Sequence, residues 1–310
     1  MTQEATTTRN VLVIGGNRYF GKRLIARLLD AGDRVTVLNR GSAPPPPGAE
    51  HLVADRGDEA ALETALAHRT FDVVFDQVCY TPRQAAVARR VFAHPTRRYV
   101  MTSTVEVYEY EDSPRPVPES AVEPADIDVD LQLPWEQAEF RGEHYGEGKR
   151  QAEAVLAGAD FPYVCVRVAH VLGGADDFTG RVAHYADRIR NGEPVAVPAS
   201  RNHPATYINV DEIADFLFWT GRQDFTGPVN AASHGALTTE DIVAAIGPLG
   251  PVVYQPVEVG EVSPFSFRRS YAMDNSRAER LGFTFSHTRD WLTDAVNQTL
   301  ATSTSTTGAN

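Results

Sequence analysis

An α/β chain, with a doubly wound parallel sheet followed by a smaller mixed α/β lobe, is what the sequence predicts. Three observations predict it. Short apolar runs alternate with helical patterns through the first half of the chain. A glycine-rich turn, VLVIGGNRYFGKRL, joins the first run to the first helix. From residue 175 onward the elements become shorter and mixed, as a substrate-covering lobe would be.

The elements follow in order. RNVLVIGG reads as a strand and FGKRLIARLLDAG as an amphipathic helix closed by Gly32. RVTVLNR is a strand, SAPPPPGAE a proline-rich loop and HLVAD a short strand. The helix DEAALETALAHR leads to the strand FDVVFDQV, and the helix PRQAAVARRVFAH to the strand RRYVMTST. Residues 109–140, acidic and proline-rich, are expected to form a surface excursion. A helix from about 145 and one strand, PYVCVRVAHVLGG, resume the pattern. The expected domains are a dinucleotide-binding domain over 10–167 and a substrate lobe over 168–206 and 222–300. YINVDEIADFLFWTG (207–221) is read as returning to the main sheet. The polar ends, 1–9 and 301–310, are expected to be disordered.

Composition narrows the function classes. A net charge of −12 over 310 residues opposes a nonspecific nucleic-acid binder, which carries a basic face. No run approaches a membrane span and the start lacks a signal-peptide core, so a cytoplasmic protein is expected. Cys79 and Cys165 sit in apolar runs without metal-ligand spacing, so neither a metal site nor a disulfide is expected.

The glycine-rich turn has the strand–turn–helix context that gives such a motif meaning. Gly15 permits the sharp turn and Gly21 a close approach of helix to strand, and the helix N-terminus offers free N–H groups to a pyrophosphate. Where a middle glycine is usual, the chain has Arg18. Where an NAD binder carries a carboxylate at the end of the second strand, it has Asn39–Arg40. Two arginines without an opposing carboxylate suit a 2′-phosphate, so NADP is expected in preference to NAD. Asp55, ending the third strand, is either an acceptor for the adenine amino group or the N-cap of the next helix.

YGEGK places Tyr145 and Lys149 four residues apart, on one face of a helix. An ammonium beside a phenol favours the phenolate, which suits Tyr145 to general acid/base work on a carbinol. Eleven tyrosines and two lysines make such a pair rare by chance. YVMTSTVEVY brings the hydroxyls of Ser103 and Thr104 to a strand end, where a substrate oxygen needs a donor.

With these motifs in sequence, the chain resembles the extended or atypical short-chain dehydrogenase/reductase superfamily, which includes nucleotide-sugar epimerases and dehydratases. VIGGNRYFG, LNRG, HLVAD, MTSTVEVY, YGEGK, VRVAHVLGG and YINVDEIA carry the resemblance over nearly the whole chain. GGNRYFG with LNRG is especially similar to an atypical subgroup that contains chloroplast stem-loop-binding proteins. The resemblance implies a Rossmann domain with a small C-terminal substrate lobe. It implies Tyr145 as acid/base, Lys149 as its modulator and nicotinamide-ribose ligand, and Thr104 as the family's Ser/Thr. The dinucleotide turn is assigned to Gly15, Asn17, Arg18, Tyr19, Phe20 and Gly21, with Asn39, Arg40, Asp55 and Lys149 completing the cofactor set.

STVEVY resembles the strand end of sugar-nucleotide dehydratases and decarboxylases, a resemblance that implies Glu106 as a base or as a carboxylate placed beside the oxidised sugar. A solvent-facing Glu is the alternative, and Val105 stands where many dehydratases have Asp. Arg167–Val168 departs from the family's Arg-Pro, and His170 follows at a position that often faces substrate. Arg181, Arg201, Arg268 and Arg269 are candidates for a substrate phosphate. The expected activity is hydride transfer between nicotinamide and a ring alcohol or ketone of a sugar-like small molecule, phosphorylated or nucleotide-linked. The alternatives are a simple NADPH-dependent ketone reductase and a non-catalytic nucleic-acid-binding or redox-sensing protein. A homodimer is an expectation carried by the resemblance.

Overall fold

The inner strands of the first half are continuous apolar runs because both of their faces are buried, as a parallel sheet requires, whereas the third, at the edge, is part-exposed. The computed structural model describes residues 8–93 and 96–303. In order, the elements are β1 (Asn10–Ile14), α1 (Phe20–Asp30), β2 (Arg34–Asn39), β3 (Glu50–Val53), α2 (Glu59–Leu66), β4 (Val73–Asp76), α3 (Pro82–Val91), β5 (Tyr99–Thr104), α4 (Ala138–Glu143), α5 (Tyr145–Ala157) and β6 (Tyr163–Val168). There follow β7 (His170–Leu172), α6 (Arg181–Asn191), β8 (Val195–Pro198), β9 (Tyr207–Asn209), α7 (Val210–Thr220), β10 (Gly227–Ala231), α8 (Thr239–Ile246), β11 (Tyr254–Val257), α9 (Ser276–Arg280) and α10 (Leu292–Ser303).

The central sheet has the order β10-β6-β5-β4-β1-β2-β3. The β1–β2, β2–β3, β1–β4 and β4–β5 pairs are parallel. The chain passes from β1 outward to β2 and β3, then returns to β4 on the other side. The order therefore reverses between β1 and β4, where an open α/β sheet leaves a ligand crevice.

The chain divides into two units. One takes the chain up to Glu109, then Val122–Arg167 and Ala214–Val229. The other takes Tyr110–Ala121, Val168–Ile213 and the chain from Asn230. The second unit has its own apolar core, around Tyr185, Tyr207, Ile242, Phe265 and Val296.

Four expectations change. The strand expected over 162–174 is two strands. β6 ends at Val168, and β7 pairs with β9 in a separate sheet, His170 opposite Tyr207. Apolar periodicity runs unbroken through the switch, so nothing local marks it. Residues 207–213 belong to the second unit, and α7 enters the first at Ala214. Part of the 109–140 excursion is packed rather than solvent-facing. Trp135 is buried and donates from Nε1 to the Asp130 carbonyl at 2.8 Å. The Asp130 N–H donates to Gln151 Oε1 on α5 at 2.9 Å. Residues 1–7 and 304–310 lie outside the described residues. Arg9, by contrast, pairs with Asp33 at 2.9 Å, and α10 includes 301–303.

Helix boundaries follow local chemistry. Asp58 caps α2 by accepting from the Ala61 N–H at 3.0 Å. Thr81 caps α3 with Pro82 in its first turn. α1 buries Gly21, Leu24, Ile25 and Leu28, one face of the helix. Among the described residues no helix is long and apolar enough to cross a membrane.

Two buried ionic clusters fix the strand ends of the first unit. Asp76, at the end of β4, is fully buried. It pairs with the buried Arg56 guanidinium, accepts from Tyr99 OH at 2.6 Å, and caps the next turn through the Val78 N–H at 3.0 Å. In the second cluster Arg167 Nη2 lies 2.6 Å from Glu153 Oε2 and donates to the Val122 carbonyl at 2.7 Å. Its Nη1 donates to Tyr108 OH at 2.9 Å. A buried charge that loses its partner is strongly destabilising. Asp76→Ala should therefore lower the unfolding free energy by about 3–5 kcal/mol, read from urea denaturation, whereas Glu50→Ala, at an exposed Arg69 pair, should cost under about 1 kcal/mol.

Candidate active site

Glycine chemistry shapes the turn after β1. Gly15 and Gly16 have φ of 83° and 79°, and the Gly15 N–H donates to the Leu38 carbonyl at 2.8 Å. A Cβ on Gly21 would lie 2.6 Å from Gly16 Cα and 2.4 Å from Gln77 Oε1, so α1 can start this close only with glycine there. Tyr19, non-glycine at φ 52°, is buried at the N-cap of α1, beside the half-buried Phe20. Arg18 is exposed on the same turn.

Asn17 donates from Nδ2 to the Ala43 carbonyl at 2.8 Å, tying the turn to the proline-rich loop. Asn39 accepts from the Gly41 N–H at 2.7 Å and shapes the turn after β2, leaving Arg40 exposed. Asp55 does not cap α2, since Asp58 does. It accepts from the Gly57 N–H at 2.8 Å in a tight Asx turn. Beyond these strand ends lies a pocket of about 680 Å³, lined by Arg40, Asp55, Thr81, Arg83, Trp135 and Arg141 among others.

The reactive pair sits on α5. Tyr145 is its first residue, and Tyr145, Lys149 and Glu153 recur at one-turn intervals along the face beside β5. Lys149 is 1% exposed, and its Nζ donates to the Thr102 carbonyl at 2.6 Å. One turn on, Ser103 Oγ donates to Glu153 Oε1 at 2.5 Å. β5 thus meets the helix at two successive residues, and Thr104 follows at the strand end. Thr104 Oγ1 accepts from the Glu106 N–H at 3.2 Å, capping the 3-10 turn Val105–Tyr108 and leaving its own proton for another acceptor. Glu106 is half-buried in the first turn of that element.

The glycines of YGEGK permit this approach. A Cβ on Gly146 would come within 2.5 Å of the Glu106 carbonyl oxygen and 2.8 Å of Glu109 Oε1. One on Gly148 would come within 2.6 Å of the Tyr80 carbonyl oxygen. The helix forgoes the propensity of alanine at two positions, about 1 kcal/mol each, and gains direct contact with two site loops.

Burial pulls the Lys149 ammonium below the usual lysine value, against the opposing pull of Tyr80, Cys79 and Asp76. Sequence reasoning missed Tyr80, Glu153 and Arg56. The signal for Tyr80 was its place at the carboxyl end of β4, one residue before the cap of α3.

In the second unit, His170 is 8% exposed and boxed by aromatic rings. Phe267 stacks on it at 5.0 Å between centroids, and Tyr207 and Tyr271 lie at 5.7 Å. Burial, with Arg181 adding to it, lowers its pKa to about 3, so the ring is neutral at physiological pH. Arg181 begins α6, its guanidinium 6.0 Å from the Phe265 centroid. Arg201 is exposed. Arg268 donates to the carbonyls of Val257, Glu258 and Gly260, so its guanidinium clasps a loop of its own unit. Arg269 covers Tyr271 at 3.9 Å.

Known proteins share the fold. UDP-glucose 4-epimerase from Thermotoga maritima superposes with a TM-score of 0.70 at 19% identity, over 96% of this chain and 99% of that one. The Bordetella bronchiseptica enzyme WbmG, solved in complex with NAD and UDP, gives 0.73 at 16% identity, over 98% and 96%. At these identities the likeness is one of fold. The chloroplast stem-loop binding protein of 41 kDa b from Arabidopsis thaliana is 24% identical over 291 residues, 85% of this chain and 71% of that protein. The model of the NAD-dependent epimerase/dehydratase family matches residues 11–232. With the glycine turn, the switch point and the Tyr145–Lys149 helix all inside that span, the chain belongs to the NAD-dependent epimerase/dehydratase family.

Proposed function

We propose that this protein is a nicotinamide-dependent oxidoreductase acting on a ring alcohol or ketone of a nucleotide-linked sugar, with the oxidised sugar held for epimerisation or elimination. The observation that carries the reading is the face of α5. Tyr145 opens this helix, and one turn on a buried Lys149 donates to the Thr102 carbonyl of β5, two residues before Thr104. The glycine cradle fits a dinucleotide, since no side chain larger than hydrogen fits at Gly15 or Gly21 without displacing Val78, Gln77 or the turn itself. When bound, the nicotinamide supplies the site that accepts and returns hydride.

The remaining work falls to the chain. Thr104 donates its free hydroxyl proton to the substrate oxygen. Tyr145 takes the carbinol proton as the carbon is oxidised and returns it on reduction. Lys149 holds positive charge beside the phenol, favouring the phenolate, and offers its remaining N–H donors to the nicotinamide ribose. In this reading Glu106 removes a proton next to the new carbonyl if elimination follows.

In the second unit, His170, Arg181 and Arg201 are the groups assigned to the substrate. The loop contacts of Arg268 make it the weakest of the four assigned from sequence. NADP is preferred to NAD in this reading, supported by Asn39 in place of a carboxylate and by the exposed Arg40 on the 680 Å³ pocket. The relative named for stem-loop binding favours a second reading, RNA binding, which the net charge of −12 opposes.

Tyr145→Phe should abolish turnover of UDP-sugars and leave nicotinamide dinucleotide affinity within about threefold; full activity in that variant ends the reading. Arg40→Glu should weaken NADPH binding roughly tenfold or more while NADH is little affected, measured by calorimetry. Tighter NADH than NADPH binding by the unaltered protein would overturn the NADP preference. For the second reading, a complex with a stem-loop RNA that weakens steeply with salt is the expected outcome, and no binding at low salt removes it.

A further inference from the structure

Beside Tyr145 and Lys149 stands a third group, the ring of Tyr80. Tyr80 lies on the loop between β4 and α3, and its ring centroid is 4.7 Å from Lys149 Nζ, against 5.8 Å for the ring of Tyr145. The two rings are 6.3 Å apart and tilted by 49°. The ammonium is almost completely buried, yet among the described residues no carboxylate lies within ion-pair distance of it. A desolvated cation is costly unless something replaces its water. Here the replacements are one carbonyl, from Thr102, and the faces of two phenol rings.

The fold fixes where Tyr80 stands. Its N–H donates to Gln84 Oε1 at 2.7 Å, and its carbonyl oxygen rests against Gly148, where a Cβ would come within 2.6 Å. Four residues back, Asp76 is anchored by Arg56 and Tyr99. The loop is thus clamped at β4, at α3 and against α5. Tyr80 is 39% exposed, and its ring lies against the ammonium.

We propose that Tyr80 is a positioning residue, whose ring face holds the Lys149 ammonium charged and in place beneath Tyr145. The proposal rests on the reading of Tyr145 and Lys149 as the proton-transfer pair, but its test does not. It assigns the ring, rather than the hydroxyl, to the task. The groups facing Lys149 from the surrounding elements are Tyr80, Cys79, Asp76 and Arg56, together with Tyr145 on its own helix. Of these, Tyr80 and Tyr145 present ring faces.

The scarcity of lysine makes the contact measurable. The chain has only Lys22 and Lys149, and Lys22 is exposed on α1. Protein labelled with 13C-lysine therefore gives two ε-methylene signals, with Lys22 as the internal reference. In the unaltered protein the Lys149 ε-protons should lie upfield of those of Lys22, shielded by the ring face. Tyr80→Phe should keep that displacement and the titration midpoint. Tyr80→Leu, which fills the space without a ring, should lose most of the displacement and lower the midpoint by about half a unit, because the ammonium loses a stabilising partner.

Three results would overturn the proposal: no upfield displacement in the unaltered protein, no change in Tyr80→Leu, or a Tyr80→Phe that behaves like Tyr80→Leu. The first needs no variant, so a misfolded substitution cannot shield the proposal. These signals report the ring contact whether or not Tyr145 moves a proton. An active Tyr145→Phe enzyme and an undisplaced Lys149 signal are therefore separate failures.

Discussion

A buried lysine ammonium, with no carboxylate within ion-pair distance among the described residues, is the constraint around which the α5 face of the first unit is arranged. Such a group is tolerated only where donors, acceptors and polarisable faces stand in for water. The Thr102 carbonyl, the Tyr80 ring and the Tyr145 ring surround Lys149, and each comes from a different segment of chain. For all three to arrive, α5 must lie unusually close to β5 and to the loop after β4. Gly146 and Gly148 make that possible, at a cost in helix propensity that tertiary contact offsets.

The ionic clusters beneath the site serve the same end. Glu153 and Arg167 lock the next turn of α5 to β6, and through Ser103 to β5, one residue from Thr104. Asp76 with Arg56 and Tyr99 holds the carboxyl end of β4, from which the Tyr80 loop departs. Buried ion pairs contribute little net stability against well-packed apolar substitutes, but each is demanding about geometry. In this protein one holds the carboxyl end of β4 and the other joins α5 to β6. The order of strands reverses between β1 and β4, where an open α/β sheet leaves a crevice.

The residues assigned to substrate in the proposed reading come from the second unit. They do not behave alike. His170 is a neutral ring inside an aromatic box, Arg268 donates to loop carbonyls, the Arg181 guanidinium lies 6.0 Å from the Phe265 ring, and Arg201 is exposed. The His170 ring packs here, stacked on Phe267.

Much of the first unit was legible in the sequence because its signals are local. Alternating apolar runs and helical periods, the glycine turn and the one-turn spacing of Tyr145 and Lys149 each depend on neighbours a few residues away. The capping of α2 by Asp58 rather than Asp55 turned on three residues, within the ordinary error of helix boundaries. The division of one apolar run into β6 and β7 was not legible, since both halves are equally apolar and only their partners differ. The burial of Trp135 within an acidic, proline-rich stretch was hidden for a related reason, as composition describes a segment and not what it covers. The sequence by itself determined which groups were present and which local faces they shared. Only the tertiary structure decided that Arg56 meets Asp76, that Arg167 meets Glu153, and that Tyr80 meets Lys149. A buried charge requires a partner, but which distant segment supplies it depends on how the strands are ordered and how closely the helices pack.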